Sequence, residues 1–338
     1  MELQIREKEP LHKHTTLHIG GVADYFVEVT TEDELLAALQ FAEQTTATPP
    51  FILGGGSNIL FPDDGFRGLV IKNGITGRQY SEEANTMLLT SGAGEYFDTI
   101  VAETVEKELW GLENLSSIPG TVGATPIQNV GAYGVEVSQL IKNVTAINMK
   151  NFSKKNFSAA DCTFSYRDSF FKTEAGRDWI VTNVTFVLQK KPTPILTYGD
   201  LIKLSGEKNL TAQLVRETVK KIRAQKFPDW TEVGTAGSFF KNPIITNEHF
   251  ESLKQDYENI VGYKADSGIK VSLGWILDNV CNLKGYEERN VSLYRNQALV
   301  LVVKKEATAN EVKKFIGEIS EIVFQKTKIK IEPEVLVL

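Results

Sequence analysis

The chain has 338 residues, with 37 Lys and Arg against 43 Asp and Glu, a formal net charge of -6, 42% hydrophobic residues and 24% charged ones. This composition is that of an ordinary soluble globular protein and points to neither a disordered nor a membrane-embedded chain, and the acidic balance leaves no basic footprint for nucleic acid. One hydrophobic core stops growing at this length, so two domains are expected.

Residues 1–8 mix charges and lack an apolar core, so no secretion signal is expected. His12, His14 and His18 have a spacing that could bind metal, but the segment reads as a flexible arm and no metal is expected. Thr31 with Glu34 forms a capping box ahead of Leu35, Ala38, Leu39 and Ala42, which recur at helical spacing. The short apolar run Phe51-Ile52-Leu53 predicts a strand ended by Gly54-Gly55-Gly56-Ser57-Asn58. Strands follow at residues 69–72 and 87–91, then Gly92-Ala93-Gly94, then a helix through Phe97, Ile100, Val101, Thr104 and Val105. Residues 111–136, rich in glycine, proline and small polar residues, are too long for a turn, and ordered loops of that length are usually functional.

Alternating runs at residues 143–148 and 179–188 suit antiparallel strands, and Lys190-Lys191-Pro192-Thr193-Pro194 breaks the pattern. The domains are therefore drawn as 1–191, with a core from about residue 19, and 192–338. In the second, Leu214, Val215, Val219 and Ile222 predict one helix and Leu273, Ile276, Leu277 and Val280 another. Thr308 with Glu311 caps a helix through Val312, Phe315, Ile316, Ile319 and Val323. The longest apolar run, residues 298–303, suits a buried strand and is far below the roughly 20 residues that cross a bilayer, so no membrane span is expected. The chain is read to end in a strand over residues 328–337, with Ile329, Ile331, Val335 and Val337 on one face and Lys328, Lys330, Glu332 and Glu334 on the other. This mixture of helices and strands is an α+β pattern. Cys162 and Cys281 stand far apart and fit core thiols in a reducing cytoplasm.

Chemistry concentrates in Ala236-Gly237-Ser238-Phe239-Phe240-Lys241-Asn242-Pro243. Gly237 permits close approach to the Ser238 hydroxyl, and two phenylalanines could keep water away from it. With four histidines in the chain, three of them in the N-terminal arm, a Ser-His-Asp nucleophile is poorly supplied and Ser238 reads better as a neutral proton donor. Gly54-Gly55-Gly56-Ser57-Asn58 could cradle phosphate on backbone N–H groups or simply turn the chain, because it lacks the ending of a nucleotide-triphosphate loop. Gly92-Ala93-Gly94 and Ile118-Pro119-Gly120-Thr121-Val122-Gly123-Ala124 are two more such loops, and together they suggest a large phosphate-bearing cofactor. On the residues alone, Arg167 stands between a salt bridge with Asp168 and a catalytic cation, Lys226 between a solvated side chain and a phosphate ligand, and Glu334 defaults to a surface carboxylate.

Taken in order, several stretches resemble the UDP-N-acetylenolpyruvoylglucosamine reductase family of peptidoglycan precursor synthesis. They are Ile19-Gly20-Gly21-Val22-Ala23-Asp24, Leu53 to Asn58, Ile118 to Gly123, Pro126-Ile127-Gln128-Asn129-Val130-Gly131-Ala132-Tyr133-Gly134, Tyr166-Arg167-Asp168-Ser169, Ala236 to Pro243 and Glu332-Pro333-Glu334-Val335. Leu196-Thr197-Tyr198-Gly199-Asp200-Leu201 resembles the tyrosine-bearing loop of one of the family's two varieties. The resemblance implies an FAD-binding domain of the vanillyl-alcohol-oxidase type followed by a substrate-binding domain. It implies a cytoplasmic enzyme in which NADPH reduces FAD and leaves before UDP-N-acetylglucosamine enolpyruvate enters and takes up hydride. A monomer is expected, since no heptad seam is visible.

Carried over by motif, Ser238 would be the proton donor, with Arg167 and Glu334 stabilising the enolic intermediate. A bare carboxylate would repel that intermediate, so Glu334 would act protonated or hydrogen-bonded to it. Gly54, Gly55, Gly56, Ser57, Asn58, Gly92, Ile118, Pro119, Gly120 and Gly123 would hold FAD, while Tyr133, Tyr166, Tyr198, Lys226, Asn242 and Gln297 would meet the substrate, Tyr198 and Lys226 near its diphosphate. One departure stands out: the family's Asn-Thr-Phe near the N-terminus is Thr15-Thr16-Leu17 here.

Overall fold

The computed structural model describes residues 3–265 and 267–338, so Met1 and Glu2 of the charged N-terminal stretch lie outside the described residues. The chain folds into two compact units, one built from Ala23–Gly55 and Arg67–Arg223 with the residues up to Glu9, the other from Pro10–Val22, Gly56–Phe66 and Ala224–Leu338. This division differs from 1–191 and 192–338 in two places. Residues 192–223 pack with the first unit because Leu201, Ala212, Val215, Val219 and Ile222 close a small core with Val105, Trp110 and Tyr133. Two N-terminal segments pack with the second, where Leu17, Ile19 and Leu60 enter the main core.

The first unit carries two sheets. Arg6–Pro10, Val22–Val29, Phe66–Asn73 and Phe51–Leu53 form one, in that order, with the last two strands parallel. Helix Glu32–Thr45 covers it by burying Leu35, Ala38, Leu39 and Ala42, the predicted face. Thr31 accepts from Glu34 N at 3.1 Å as expected, but the Glu34 carboxylate reaches one residue further back, to Thr30 N at 2.7 Å. The second sheet orders Lys154–Ser158, Ile141–Asn148, Trp179–Gln189, Thr86–Gly92 and Arg78–Glu83 in antiparallel ladders, and Phe97, Ile100 and Val101 of helix Phe97–Glu106 join its core.

Helix Ala212–Lys226 is fixed to Phe97–Glu106 by a bidentate pair, in which Arg216 Nη1 and Nη2 donate to the two Asp98 oxygens at 2.6 and 3.0 Å. Burial pushes the Asp98 carboxyl up, but hydrogen bonds from Arg216 and Ser117 N outweigh it and hold the group below its ordinary 3.8. A depressed folded value means that the stabilisation is complete above the unfolded value and fades as pH falls through the folded one. Asp98→Asn should therefore lower stability by about 2 kcal/mol near neutral pH, a figure reduced for the partial exposure of the carboxylate. Thermal melts should show the gap between wild type and variant constant down to about pH 4 and closing below it; a gap that widens on acidification would contradict the assignment.

In the second unit Gly234–Ser238, Gln297–Val303, Val291–Tyr294 and Glu287–Glu288 form a four-stranded sheet, and helix Ala309–Thr327 lays Val312, Phe315, Ile319 and Val323 into the core. The Thr308–Glu311 capping box is complete, and the Asp63 carboxylate accepts from Ala309 N at 2.7 Å and Asn310 N at 3.0 Å, where the helix dipole favours an anion. The C-terminal segment corrects one expectation. Only Leu336–Val337 is a strand, pairing in parallel with Ile59–Leu60. Lys328 takes φ +57 as the helix C-cap and Pro333 has no N–H to donate, so a continuous ladder cannot form. The inward set Ile329, Ile331 and Val335 is nevertheless buried.

Candidate active site

The three glycine loops come together in the first unit. A Cβ on Gly55 would lie 2.8 Å from Gly120 Cα, one on Gly54 2.7 Å from Thr121 Oγ1, and one on Gly123 2.6 Å from Ala93 Cβ. Backbone bonds fix the arrangement: Gly123 N donates to Ala93 O at 2.8 Å, Val122 N to Glu95 O at 2.9 Å and Phe97 N to Gly120 O at 3.0 Å. Glycine is required at Gly120 for its φ of +110 as well as for this closeness. Gly56, Ser57 and Asn58, from the same glycine run, fall in the second unit. The long loop at residues 111–136 is ordered by short helical turns at Glu113–Leu115 and Val122–Ala124 and by the start of the hairpin Gly131–Ala132 with Val135–Glu136.

Ser238 ends its strand after a register break between Thr235 and Ser238, and Gly237 takes φ +71 in that break. The one extra residue re-aims the serine relative to the ladder. The Thr235 hydroxyl holds the irregularity, donating to Leu301 O at 2.7 Å and accepting from Gly237 N at 3.1 Å. Phe239 and Phe240 are buried in the core of the second unit, so they anchor the strand from below and do not cap the half-buried serine. Glu334 is brought alongside: its N donates to Phe239 O at 2.7 Å, and its O accepts from Asn58 Nδ2 at 3.2 Å. It is half-buried whereas Glu332 is exposed, so the two do not share one surface face.

The Thr15-Thr16-Leu17 departure is absorbed by buried bonds. Thr15 Oγ1 donates to Ile19 O at 3.1 Å and Thr16 Oγ1 to Thr235 O at 2.6 Å, while Thr235 N donates to Thr16 O at 2.9 Å and Thr16 N to Gly56 O at 3.1 Å. Thr16 thus ties the glycine loop to the strand of Ser238. The preceding Leu11–His14 turn has Leu11 fully buried and is no flexible arm. Among the described residues no group of His, Cys, Asp or Glu is placed to hold a metal ion.

Arg167 lies in the first unit with φ +56, in a tight turn closed by reciprocal bonds between Ser165 and Asp168. Its Nη2 donates to Gly131 O at 2.7 Å, and its guanidinium lies 5.3 Å from the Tyr166 ring centroid. Asp168 instead accepts from Ser169 N at 3.0 Å, so the sequence-based salt bridge between neighbours is replaced by an arginine turned onto the 129–131 backbone. Tyr133 is buried with φ +50, and its ring meets Tyr198 edge-on at 5.9 Å. Burial pushes the Tyr133 phenol up, against the nearby Arg223 guanidinium to which it hydrogen-bonds. Lys226 closes helix Ala212–Lys226 in the second unit, where Asn242 Oδ1 accepts from Leu273 N at 3.0 Å and Gln297 begins the strand paired to Ser238's own.

Sequence reasoning missed Asn129 and Arg223. Asn129 is 1% exposed with φ +45, and its Nδ2 donates to Glu136 Oε2 at 2.8 Å and Ser165 O at 2.9 Å, fixing the turn of Arg167. Arg223 Nε donates to Ser117 O at 3.2 Å, and burial lowers its basicity. Asn129 lay within a quoted motif and could have been flagged there; Arg223 had no local signal.

Family models match two parts of the chain, "FAD binding domain" over residues 23–150 and "UDP-N-acetylenolpyruvoylglucosamine reductase, C-terminal domain" over residues 229–338. The reductase of that name from Cupriavidus pinatubonensis is 39% identical over 97% of this chain and 98% of its own length. That from Bdellovibrio bacteriovorus is 39% identical over 98% and 99%. The crystal structure of the Thermus caldophilus reductase superposes with a TM-score of 0.68 over 100% of this chain and 99% of that one; at 23% identity, this likeness speaks for the fold.

Proposed function

The chain belongs to the UDP-N-acetylenolpyruvoylglucosamine reductase family, and from that premise we propose that it reduces UDP-N-acetylglucosamine enolpyruvate to UDP-N-acetylmuramate with NADPH as reductant and FAD as carrier. The observation that carries this reading is the gathering of three glycine loops in the unit that holds most of the FAD-binding match. Loops without side chains at Gly54, Gly55, Gly120 and Gly123 fit a dinucleotide, whose diphosphate needs close backbone approach. Gly56, Ser57, Asn58, Gly92, Ile118 and Pro119 extend that set. When bound, FAD takes two electrons from NADPH and supplies hydride to the terminal carbon of the enolpyruvyl group.

The chain's own residues handle charge and proton. Hydride addition leaves negative charge on the adjacent carbon and its carboxylate, and Ser238 Oγ gives that carbon the proton which completes the saturated lactyl ether. Arg167 and Glu334 bind the charged intermediate, and its stabilisation in a dry site is the largest contribution expected of the protein. Tyr133, Tyr166, Tyr198, Lys226, Asn242 and Gln297 orient the sugar nucleotide. Of the residues that serve the substrate, Arg167, Tyr133, Tyr166 and Tyr198 belong to the first unit and Ser238, Lys226, Asn242, Gln297 and Glu334 to the second. We read the enzyme as a cytoplasmic monomer. Among the described residues no helix is long and apolar enough to cross a membrane. Both cysteines are buried free thiols, and burial pushes Cys162 up to about 12, an inert core thiol suited to a reducing compartment.

The purified protein should be yellow, bleach under NADPH without oxygen and regain its colour on adding the enolpyruvyl sugar nucleotide. A colourless protein that cannot be reconstituted with FAD would overturn the reading. Rapid reoxidation by oxygen with no response to the sugar nucleotide would instead make it an oxidase.

A further inference from the structure

Asn114 is fully buried in the first unit, on the turn Glu113–Leu115, and its amide is committed to two distant carbonyls. Nδ2 donates to Tyr133 O and to Ile195 O, each at 2.8 Å. Both acceptors face one nitrogen, so the amide has a single sensible orientation, since the flipped one would set its oxygen against two others. Its Oδ1 is buried without a hydrogen-bond partner among the described residues. An apolar residue would avoid that cost, so what distinguishes asparagine here is its pair of donors.

Those donors join two segments that the substrate reading singles out. Tyr133 sits in a left-handed turn, and Ile195 opens the stretch that leads to Tyr198. Gly134 faces the same stretch: a Cβ there would lie 3.5 Å from Ile195 Cγ2, 3.6 Å from Tyr198 Cβ and 3.7 Å from Thr197 Oγ1. Leu196 and Leu201 pack into the core around Val105, Trp110 and Tyr133, which secures the segment beyond Ile195. Apolar packing is non-directional and leaves the rotation of a peptide free, whereas two aligned hydrogen bonds fix it.

We propose that Asn114 is a positioning residue that latches the segment from Ile195 to Tyr198 onto Tyr133, so that the two edge-on tyrosines form a preset wall for the sugar nucleotide. The wall's purpose rests on the reductase reading; the latch does not.

Asn114→Asp keeps the size of the side chain and puts an oxygen against both carbonyls. Trypsin cleavage after the exposed Lys203, just beyond the latched segment, should quicken by about tenfold while cuts elsewhere keep their rates. KM for the enolpyruvyl sugar nucleotide should rise about tenfold, with kcat and bound flavin retained. Asn114→Ala adds no charge and carries both measurements if the aspartate variant does not fold with flavin. Unchanged cleavage and unchanged KM would overturn the latch. So would parallel losses in kcat, KM and flavin content, which denote a structural role alone. If the wild-type protein does not turn over the sugar nucleotide, the reductase reading fails, and the trypsin measurement still decides the latch.

Discussion

Replacing Ser238 with alanine should leave the reduction of bound flavin by NADPH near its wild-type rate and slow reoxidation by the enolpyruvyl sugar nucleotide by about a hundredfold or more. The reductive step moves hydride from NADPH and asks nothing of a serine hydroxyl. The oxidative step ends only when carbon accepts a proton, and a positioned acid is worth that much in rate. The strand should tolerate the change, because Thr235 and Gly237 hold the register break and Phe239 and Phe240 hold the core. Stopped-flow measurement of each half-reaction separates the outcomes. Equal loss of both steps would sink the proton-donor role, and so would solvent-proton incorporation at the wild-type rate.

Arg167→Lys should lower the same oxidative step by about 3 kcal/mol, or a little over a hundredfold, with flavin content retained. Lysine preserves the charge but not the fork. Arg167 already gives Nη2 to Gly131 O, and Lys172 Nζ donates to the carbonyl of Arg167, so the turn presents a planar group in one direction. A single ammonium cannot both keep the backbone bond and reach a carboxylate bidentately. Single-turnover reoxidation at saturating substrate measures the effect, and a lysine variant within twofold of wild type would remove Arg167 from the intermediate's binding site. Together with Ser238→Ala this distinguishes charge stabilisation from proton transfer, since only the serine variant should show an accumulating intermediate with a normal affinity.

Much of the local structure was legible in order along the chain. Capping residues and apolar spacing announced the helices Glu32–Thr45 and Ala309–Thr327, and alternation announced Ile141–Asn148 and Trp179–Gln189. These signals are local: a side-chain oxygen meets an N–H three residues away, and side chains alternate along a strand whatever lies elsewhere. The C-terminal strand failed because alternation reports burial, not pairing. Ile329, Ile331 and Val335 are buried as read, but the ladder partners lie at Phe239 and Asn58, far away in sequence.

The motifs themselves, and the family to which they belong, were determined by sequence alone, because glycines, a lone serine and a turn arginine at fixed order are chemical identities that need no coordinates. Tertiary structure decided which residues serve them. Asn114, Asn129, Arg216 and Thr16 act through partners 7 to 219 residues away, and nothing in their neighbours along the chain distinguishes a buried amide or hydroxyl that bonds across the fold from one that faces water. The boundary between the units was decided in the same way. Lys190-Lys191-Pro192 breaks a strand pattern, but the chain changes unit only after Arg223, because the apolar face of Ala212–Lys226 is buried against Val105 and Trp110. Burial of that face, and not the local break, carries the larger free energy.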